Sequence, residues 1–383
     1  MKIKMYDVNW GEAILYEVGG DKLLVDCGAK FHHKGYTAYN AVRNDFSFGK
    51  DNLLITHLDE DHYNGVISMA DAGERLKRVF LPKYMFFSKD GGLCSTDGYF
   101  ASVIFFYLLG KKRQLNSLNR LFVSLINSAS SIKSVAYGDY IDLGTTKFKV
   151  LWPEEEALHP FSIIAEELRM IYVEALDNAP NRIELLDKCV NRYTKVFGDF
   201  YRTLLYDDNG EAHYKEILSR LDDAHEELLN YENEVSVNIS KEITKVVNSK
   251  LSGFIKSQND CSVVFCNERE VLALGDVSSK VVKYLKGMGR IEDHYKYMKA
   301  PHHGTVTYFS SILPNADNVF ISNNGMARKN WKISEKYAKK YKNKCYCTNT
   351  EIDRCEWVLN CNPCCQNCNL HCVSPANPRC LTI

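Results

Sequence analysis

The sequence predicts a mixed α/β protein, and three features carry that prediction. Short apolar runs in the first sixty residues end in clustered histidines and aspartates, as strands do when they deliver polar groups to a sheet edge. Apolar residues then recur at helical spacing through an acidic middle stretch. Strand-like runs resume past residue 260 and are followed by a further helical segment.

The chain has 383 residues, 45% hydrophobic and 12% aromatic, enough for one large domain or two ordinary ones with a full core. Average charge and abundant aromatics exclude a disordered chain. With 48 basic and 48 acidic side chains, the balance removes the strongly basic signature of a protein that coats nucleic acid. The longest apolar run, 100–109, is about half the ~20 residues of a membrane helix, and the alternating N-terminus lacks a signal-peptide core. No membrane partner and a cytoplasmic location are expected.

Strands are expected at 14–18 and 22–26, joined by the turn Gly19-Gly20-Asp21, and at 52–56. Residues 76–126 mix strand and helix character. Strands at 140–143 and 147–152 flank the turn Gly144-Thr145-Thr146. Over 154–234 there are 20 acidic and 8 basic side chains, a local charge of −12, with Ile164, Leu168 and Ile171, then Leu218, Leu221 and Leu228, at helical spacing. This reads as a mainly helical acidic insertion, 154–254. Strands return at 262–266 and 271–274, then a helix near 281–286. Over 328–344, 8 basic residues against one acidic reverse the charge to +7.

The strongest chemical signal is Thr56-His57-Leu58-Asp59-Glu60-Asp61-His62, directly after an apolar strand. Imidazoles and carboxylates this close together at a strand end can converge on metal. Leu272-Ala273-Leu274-Gly275-Asp276 is another strand ending in a carboxylate, and Leu23-Leu24-Val25-Asp26-Cys27-Gly28 is a third. Lys299-Ala300-Pro301-His302-His303-Gly304-Thr305 adds adjacent histidines, of which one normally points at a given site.

In this order the four motifs resemble those of the metallo-β-lactamase fold. The opening Asp7-Val8-Asn9-Trp10-Gly11-Glu12-Ala13, the His-x-Asp-x-Asp-His variant, Asn259-Asp260-Cys261-Ser262-Val263-Val264 and Pro-His-His-Gly-Thr are similar to the ComEC-type domain of that superfamily. The resemblance implies a hydrolase domain, 1–153 and 255–348, built as an αββα sandwich with two divalent metal ions at one sheet edge. His57 and Asp59 would bind one metal, Asp61 and His62 the other, and Asp276 would bridge them. One of His302 and His303 completes the second site, with His302 preferred, and Asp26 organises the site through hydrogen bonds. Asp59 stands where most of the superfamily has histidine. The usual central histidine has no match except His159 by position. The oxygen-rich ligand set shifts preference from zinc towards manganese or magnesium.

The function so implied is a phosphodiesterase or nuclease acting on DNA or RNA through metal-activated water. Asp61 and His62 are the catalytic candidates, Asp61 orienting the water and accepting its proton. A small-molecule hydrolase on the same fold, or a non-catalytic binding module, is the alternative. In the basic stretch Lys329, Trp331, Lys332 and Lys336 are candidate nucleic-acid contacts, and Tyr337 and Tyr341 could stack bases. Against that, Ile333, Tyr337 and Tyr341 repeat at i, i+4, i+8, the pattern of an amphipathic helix.

Five cysteines precede residue 345 and nine follow between Cys345 and Cys380. In the tail, 349–383, Cys361, Cys364, Cys365, Cys368 and Cys372 form overlapping Cys-x2-Cys pairs that suit structural zinc, with a disulfide-linked or reactive end as alternatives. The insertion or this tail is the expected site for a protein partner.

Overall fold

The structure, a computed structural model, describes residues 1–8, 10–29, 35–83, 112–154, 259–323, 333–341, 345–348 and 380–382, with scattered positions between 170 and 227. The chain divides into two units, one of 1–82, 127–153 and 259–383, the other of 83–126 and 154–258. In the second, the described positions 219–224 are helical, Leu221 and Ala224 are buried, and Arg192 pairs with Glu227. Most of the expected acidic insertion lies outside the described residues.

The first unit is mixed α/β. Among the described residues its strands form two seven-stranded mixed sheets. The first sheet begins with β1 (Lys2–Tyr6), β2 (Ile14–Val18) and β3 (Asp21–Val25), an antiparallel meander turned at Gly19-Gly20. It continues in parallel through β4 (Asn52–Leu54), β5 (Arg78–Pro82) and β6 (Ile132–Val135), in register Leu24↔Leu53 and Leu54↔Phe80. Helices α1 (Gly35–Val42) and α2 (Glu60–Asp71) supply connections in this unit, and α3 (Lys112–Ser128) lies mostly in the second.

The second sheet runs antiparallel through β7 (Tyr140–Leu143), β8 (Thr146–Trp152), β9 (Val264–Asn267) and β10 (Val271–Ala273). It then turns parallel through β11 (His294–Lys299), β12 (Asn315–Ile321) and β13 (Cys345–Cys347), with α4 (Ser279–Gly287) and α5 (Glu335–Tyr341) along the way. The alternation of β8, with Phe148 and Val150 inward and Lys147 and Lys149 outward, reflects one buried and one solvated face. Ile3, Met5, Ile14, Tyr16 and Val25 of the first sheet share one apolar core with Ile141, Phe148, Val150, Phe265 and Phe320 of the second. Tyr16 meets Phe148 and Phe265 edge-on at 5.8 Å.

The expected strands at 14–18, 22–26, 52–56, 140–143, 147–152, 262–266 and 271–274 all have counterparts within a few residues, as does the helix near 281–286. The tail differs from its sequence reading. Its last strand, β14 (Cys380–Thr382), closes the edge of the first sheet by pairing antiparallel with β1, Tyr6↔Cys380 and Lys4↔Thr382. Three residues carry too little periodicity to announce a strand; β1's unpaired edge recruits them. The candidate zinc ligands Cys361, Cys364, Cys365, Cys368 and Cys372 lie outside the described residues. No described helix is long and apolar enough to cross a membrane.

Candidate metal centre

Most polar side chains of the centre follow the carboxyl end of a strand that pairs in parallel, while Asp61 and His62 lie in the first turn of α2 and Glu12 precedes β2. Asp26 follows β3, Thr56 and His57 follow β4, Asp276 follows β10, His302 and His303 follow β11, and Ser322 follows β12. Carboxyl ends of parallel strands are where open α/β sheets gather ligand-binding groups. Backbone bonds tie these ends together: Val263 N–H to Thr56 O at 2.9 Å, Cys27 N–H to His62 O at 2.8 Å and His302 N–H to Gly275 O at 3.1 Å.

Asp26 is the buried organiser. Its backbone is left-handed, with φ 58°. Its carboxylate accepts the Thr56 N–H and the Thr56 hydroxyl, both at 2.7 Å, and the Nδ1–H of His62 at 2.8 Å. Because Thr56 spends its hydroxyl proton on Asp26, its oxygen accepts from His57 Nδ1–H at 3.1 Å. Asp26 therefore sets the tautomer of both imidazoles, one directly and one through Thr56. His57 and His62 are fully buried, their rings 4.1 Å apart, and the Nε2 atoms of both lack a hydrogen bond.

Those bare nitrogens turn towards Asp276. His62 Nε2 lies 3.3 Å from Asp276 Oδ2, and His57, His62 and Asp276 bring their ligand atoms within 4.8 Å of one another. A second trio, Asp61, His62 and His303, converges as closely. His303 donates Nδ1–H to Ser322 O at 2.8 Å, which leaves Nε2 3.5 Å from Asp61 Oδ2 and 3.7 Å from Asp276 Oδ2. Glu12, Asp26 and His62 also meet within this limit. In that trio Glu12 forms an ion pair with Lys299 and His62 bonds to Asp26.

Of the adjacent histidines, the buried one facing Asp61 is His303, whereas the resemblance favoured His302. His302 stacks on Tyr308 at 3.9 Å, is 21% exposed, and keeps Nε2 3.9 Å from Asp276 Oδ2. Both histidines take positive φ, 44° and 55°, and both rings approach Asp276, but of the two only the fully buried His303 also faces Asp61. Gly304 extends this left-handed run, and a Cβ there would meet the Ile321 side chain at 2.7 Å. Asp59 caps α2 by position without a side-chain cap bond, and its carboxylate stands 3.8 Å from His57 Nε2. His159 lies outside the described residues.

The charges are strongly coupled. Burial opposes charge on His62, yet Asp276 and Asp26 outweigh it and hold the imidazole well above its ordinary range. Burial would raise Asp276, but His62 and Lys299 hold it well below the usual carboxylate range. Asp61 is likewise lowered against burial, chiefly by His303 and His62. Burial, joined by the neighbouring imidazoles of His303 and His57, pushes His302 down to about 4 despite Asp276.

Sequence reasoning gave no role to Lys299 and Glu12. Lys299 is 1% exposed at the end of β11 and reaches Glu12 Oε2 at 2.6 Å, Gly275 O at 2.9 Å and Asp276 Oδ1 at 3.2 Å. Its signal was present: Tyr295, Tyr297 and Lys299 share the inward phase of one strand. The candidate nucleic-acid contacts Lys329, Trp331 and Lys332 lie outside the described residues. Lys336 sits on α5, 5.9 Å from the Phe309 ring. Tyr337 and Tyr341 are buried at 0% and 4% exposure, so they pack rather than stack on bases, as the amphipathic pattern anticipates.

Fold and site together define a mixed α/β protein with a buried histidine–aspartate centre at the carboxyl ends of its strands. No protein-family model and no curated protein sequence matches this chain.

Proposed function

We propose that this chain is a metal-dependent hydrolase of the metallo-β-lactamase type, an αββα sandwich with two divalent ions, manganese, zinc or magnesium, that cleaves the phosphodiesters of DNA or RNA. The observation that carries the metal reading is the pair of buried Nε2 atoms on His57 and His62. Neither forms a hydrogen bond, and each lies near a carboxylate (His62 Nε2 3.3 Å from Asp276, His57 Nε2 3.8 Å from Asp59), so nitrogen and oxygen donors converge as they would around a cation. The donor set fits: nitrogen from His57, His62 and His303, oxygen from Asp59, Asp61 and Asp276. Lys299 is shared by Glu12 and Asp276, while Asp59 and Asp61 stand beside imidazoles, which leaves carboxylate oxygens that a divalent ion would bind.

When bound, such ions lower the pKa of water and stabilise charge developing on phosphate. The chain's own contribution is to fix Nδ1 of each imidazole, through Asp26, Thr56 and Ser322, so that Nε2 points into the cluster. Asp61, kept ionised by His303 and His62, accepts hydrogen bonds from the attacking water and orients it. Neutral His302, the most exposed of the four histidines, is placed to contact the substrate. The phosphodiester substrate class rests on the likeness to ComEC-type domains.

The test is cleavage of linear and circular DNA, and of RNA, by the purified chain with Mn²⁺, Mg²⁺ or Zn²⁺, beside Asp276→Ala. Metal-dependent cutting that is lost in the variant supports the proposal. A metal-loaded protein that cuts neither polymer but hydrolyses a small phosphodiester moves the assignment to a small-molecule enzyme. A protein that takes up no metal overturns it.

A further inference from the structure

The two oxygens of Asp276 have different duties. Oδ2 faces His62, His303 and His302 at 3.3, 3.7 and 3.9 Å. Oδ1 faces the Lys299 ammonium at 3.2 Å. That ammonium donates to the Gly275 carbonyl and Asp276 Oδ1 and forms an ion pair with Glu12 Oε2 at 2.6 Å. Lysine is almost never this buried unless paired. Here both carboxylates that pair with it are buried as deeply, at 1% and 2% exposure.

The placement is set by the fold. Lys299 ends β11, which pairs in parallel with β10 in register Ala273↔Lys299, so its side chain lies beside the loop that carries Asp276. Glu12 is drawn in from the segment before β2, whose backbone bonds to Asp61 O and Gly28 N at 3.0 Å. Three separate stretches of chain thus converge on one ammonium.

We infer that Lys299 is a positioning residue of the metal centre: it holds Asp276 Oδ1, so that Asp276 meets a cation through Oδ2 alone, and Glu12 supplies the counter-charge that keeps Lys299 in place. This inference rests on the metal reading above. A carboxylate with both oxygens available can chelate one cation or divide itself between two. An ammonium on one oxygen closes that choice and draws charge from the other. Glu12 sets how strongly, because it shares the same ammonium.

The experiment uses the full chain, with Mn²⁺ affinity measured by titration and the visible spectrum of the Co²⁺-loaded protein reporting ligand geometry. Glu12→Gln leaves Lys299 with Asp276 as its sole charged partner; Mn²⁺ affinity is expected to fall at least threefold, with a shifted Co²⁺ spectrum. The double variant Glu12→Gln/Lys299→Met removes both charges together and strands neither. It is expected to regain affinity relative to Glu12→Gln and to show an altered Co²⁺ spectrum, since Asp276 then offers both oxygens. A pair that merely filled the core would not reverse the sign between the two variants. Thermal unfolding confirms that each is folded. If the double variant does not fold, Glu12→Gln alone decides, and wild-type affinity and spectrum in it overturn the inference. Failure of the wild-type chain to bind either ion sinks the metal reading instead, which separates the two.

Discussion

Asp26 and His62 are joined by a hydrogen bond of 2.8 Å between Oδ2 and Nδ1, both residues fully buried. The bond aims the opposite ring nitrogen at Asp276, and the same carboxylate reaches His57 through Thr56. One aspartate outside the proposed donor set therefore orients two of its members.

Replacing Asp26 by Asn tests this. The amide keeps the volume but cannot accept all three hydrogen bonds, so both imidazoles lose their fixed tautomer. Mn²⁺ or Zn²⁺ affinity is expected to fall roughly 10–100-fold, the range for partners of ligating histidines. Titration calorimetry gives the number, and unchanged affinity would remove Asp26 from the centre.

The two adjacent histidines should separate cleanly. His303→Gln loses the imidazole that faces Asp61 and Asp276, and metal affinity is expected to drop by an order of magnitude or more. His302→Gln loses a stacked, partly exposed ring, and affinity should change less than about threefold while cleavage falls. The reverse ranking would favour His302 as the ligand.

Gly28 passes directly beneath the Asp61–His62 turn. A Cβ there would stand 2.3 Å from Asp61 C and 2.4 Å from His62 N, both backbone atoms that cannot step aside alone. Gly28→Ala is expected to destabilise by about 1–3 kcal/mol, the usual penalty for overpacking. Its melting temperature should fall and its metal affinity with it; a wild-type melting curve would show that the turn yields freely.

The metal-free chain should have a characteristic pH profile. His62 is raised in the folded state, so its contribution is complete below the unfolded imidazole value of about 6.5 and is lost as pH rises through the higher folded one. Asp276 is lowered, so its contribution is complete above about 3.9 and is lost as pH falls through the lower folded value. These two groups favour greatest stability between roughly pH 4 and 6.5, declining on either side. Added Mn²⁺ should reverse the alkaline decline, because coordination requires His62 without its Nε2 proton. Melting temperatures at stepped pH, with Mn²⁺ or with chelator, check both limbs.

Much of this centre was legible in the sequence because its ligands are contiguous or follow apolar runs. Thr56 to His62, Gly275-Asp276 and His302-His303 announce themselves by composition and by the strand before each. The expected strands also hold to within a few residues, since alternation and turn residues are local properties. Helix α2 was hidden, because its first turn is made of the polar cluster itself. Strand β14 was hidden because three residues carry no period.

What only the tertiary structure decided is which of these groups meet. That His303 rather than His302 faces Asp61 depends on two left-handed residues and on Ser322, nineteen positions downstream of His303. Asp26 acts on His57 through the Thr56 hydroxyl, a path made by the pairing of β3 with β4. Lys299 and Glu12 become a pair because parallel pairing of β11 with β10 sets one beside Asp276, and backbone bonds from Glu12 to Asp61 and Gly28 bring in the other. Chemistry that resides in one side chain can be read along the chain. Chemistry that resides in a distance between strands exists only once the sheets have formed.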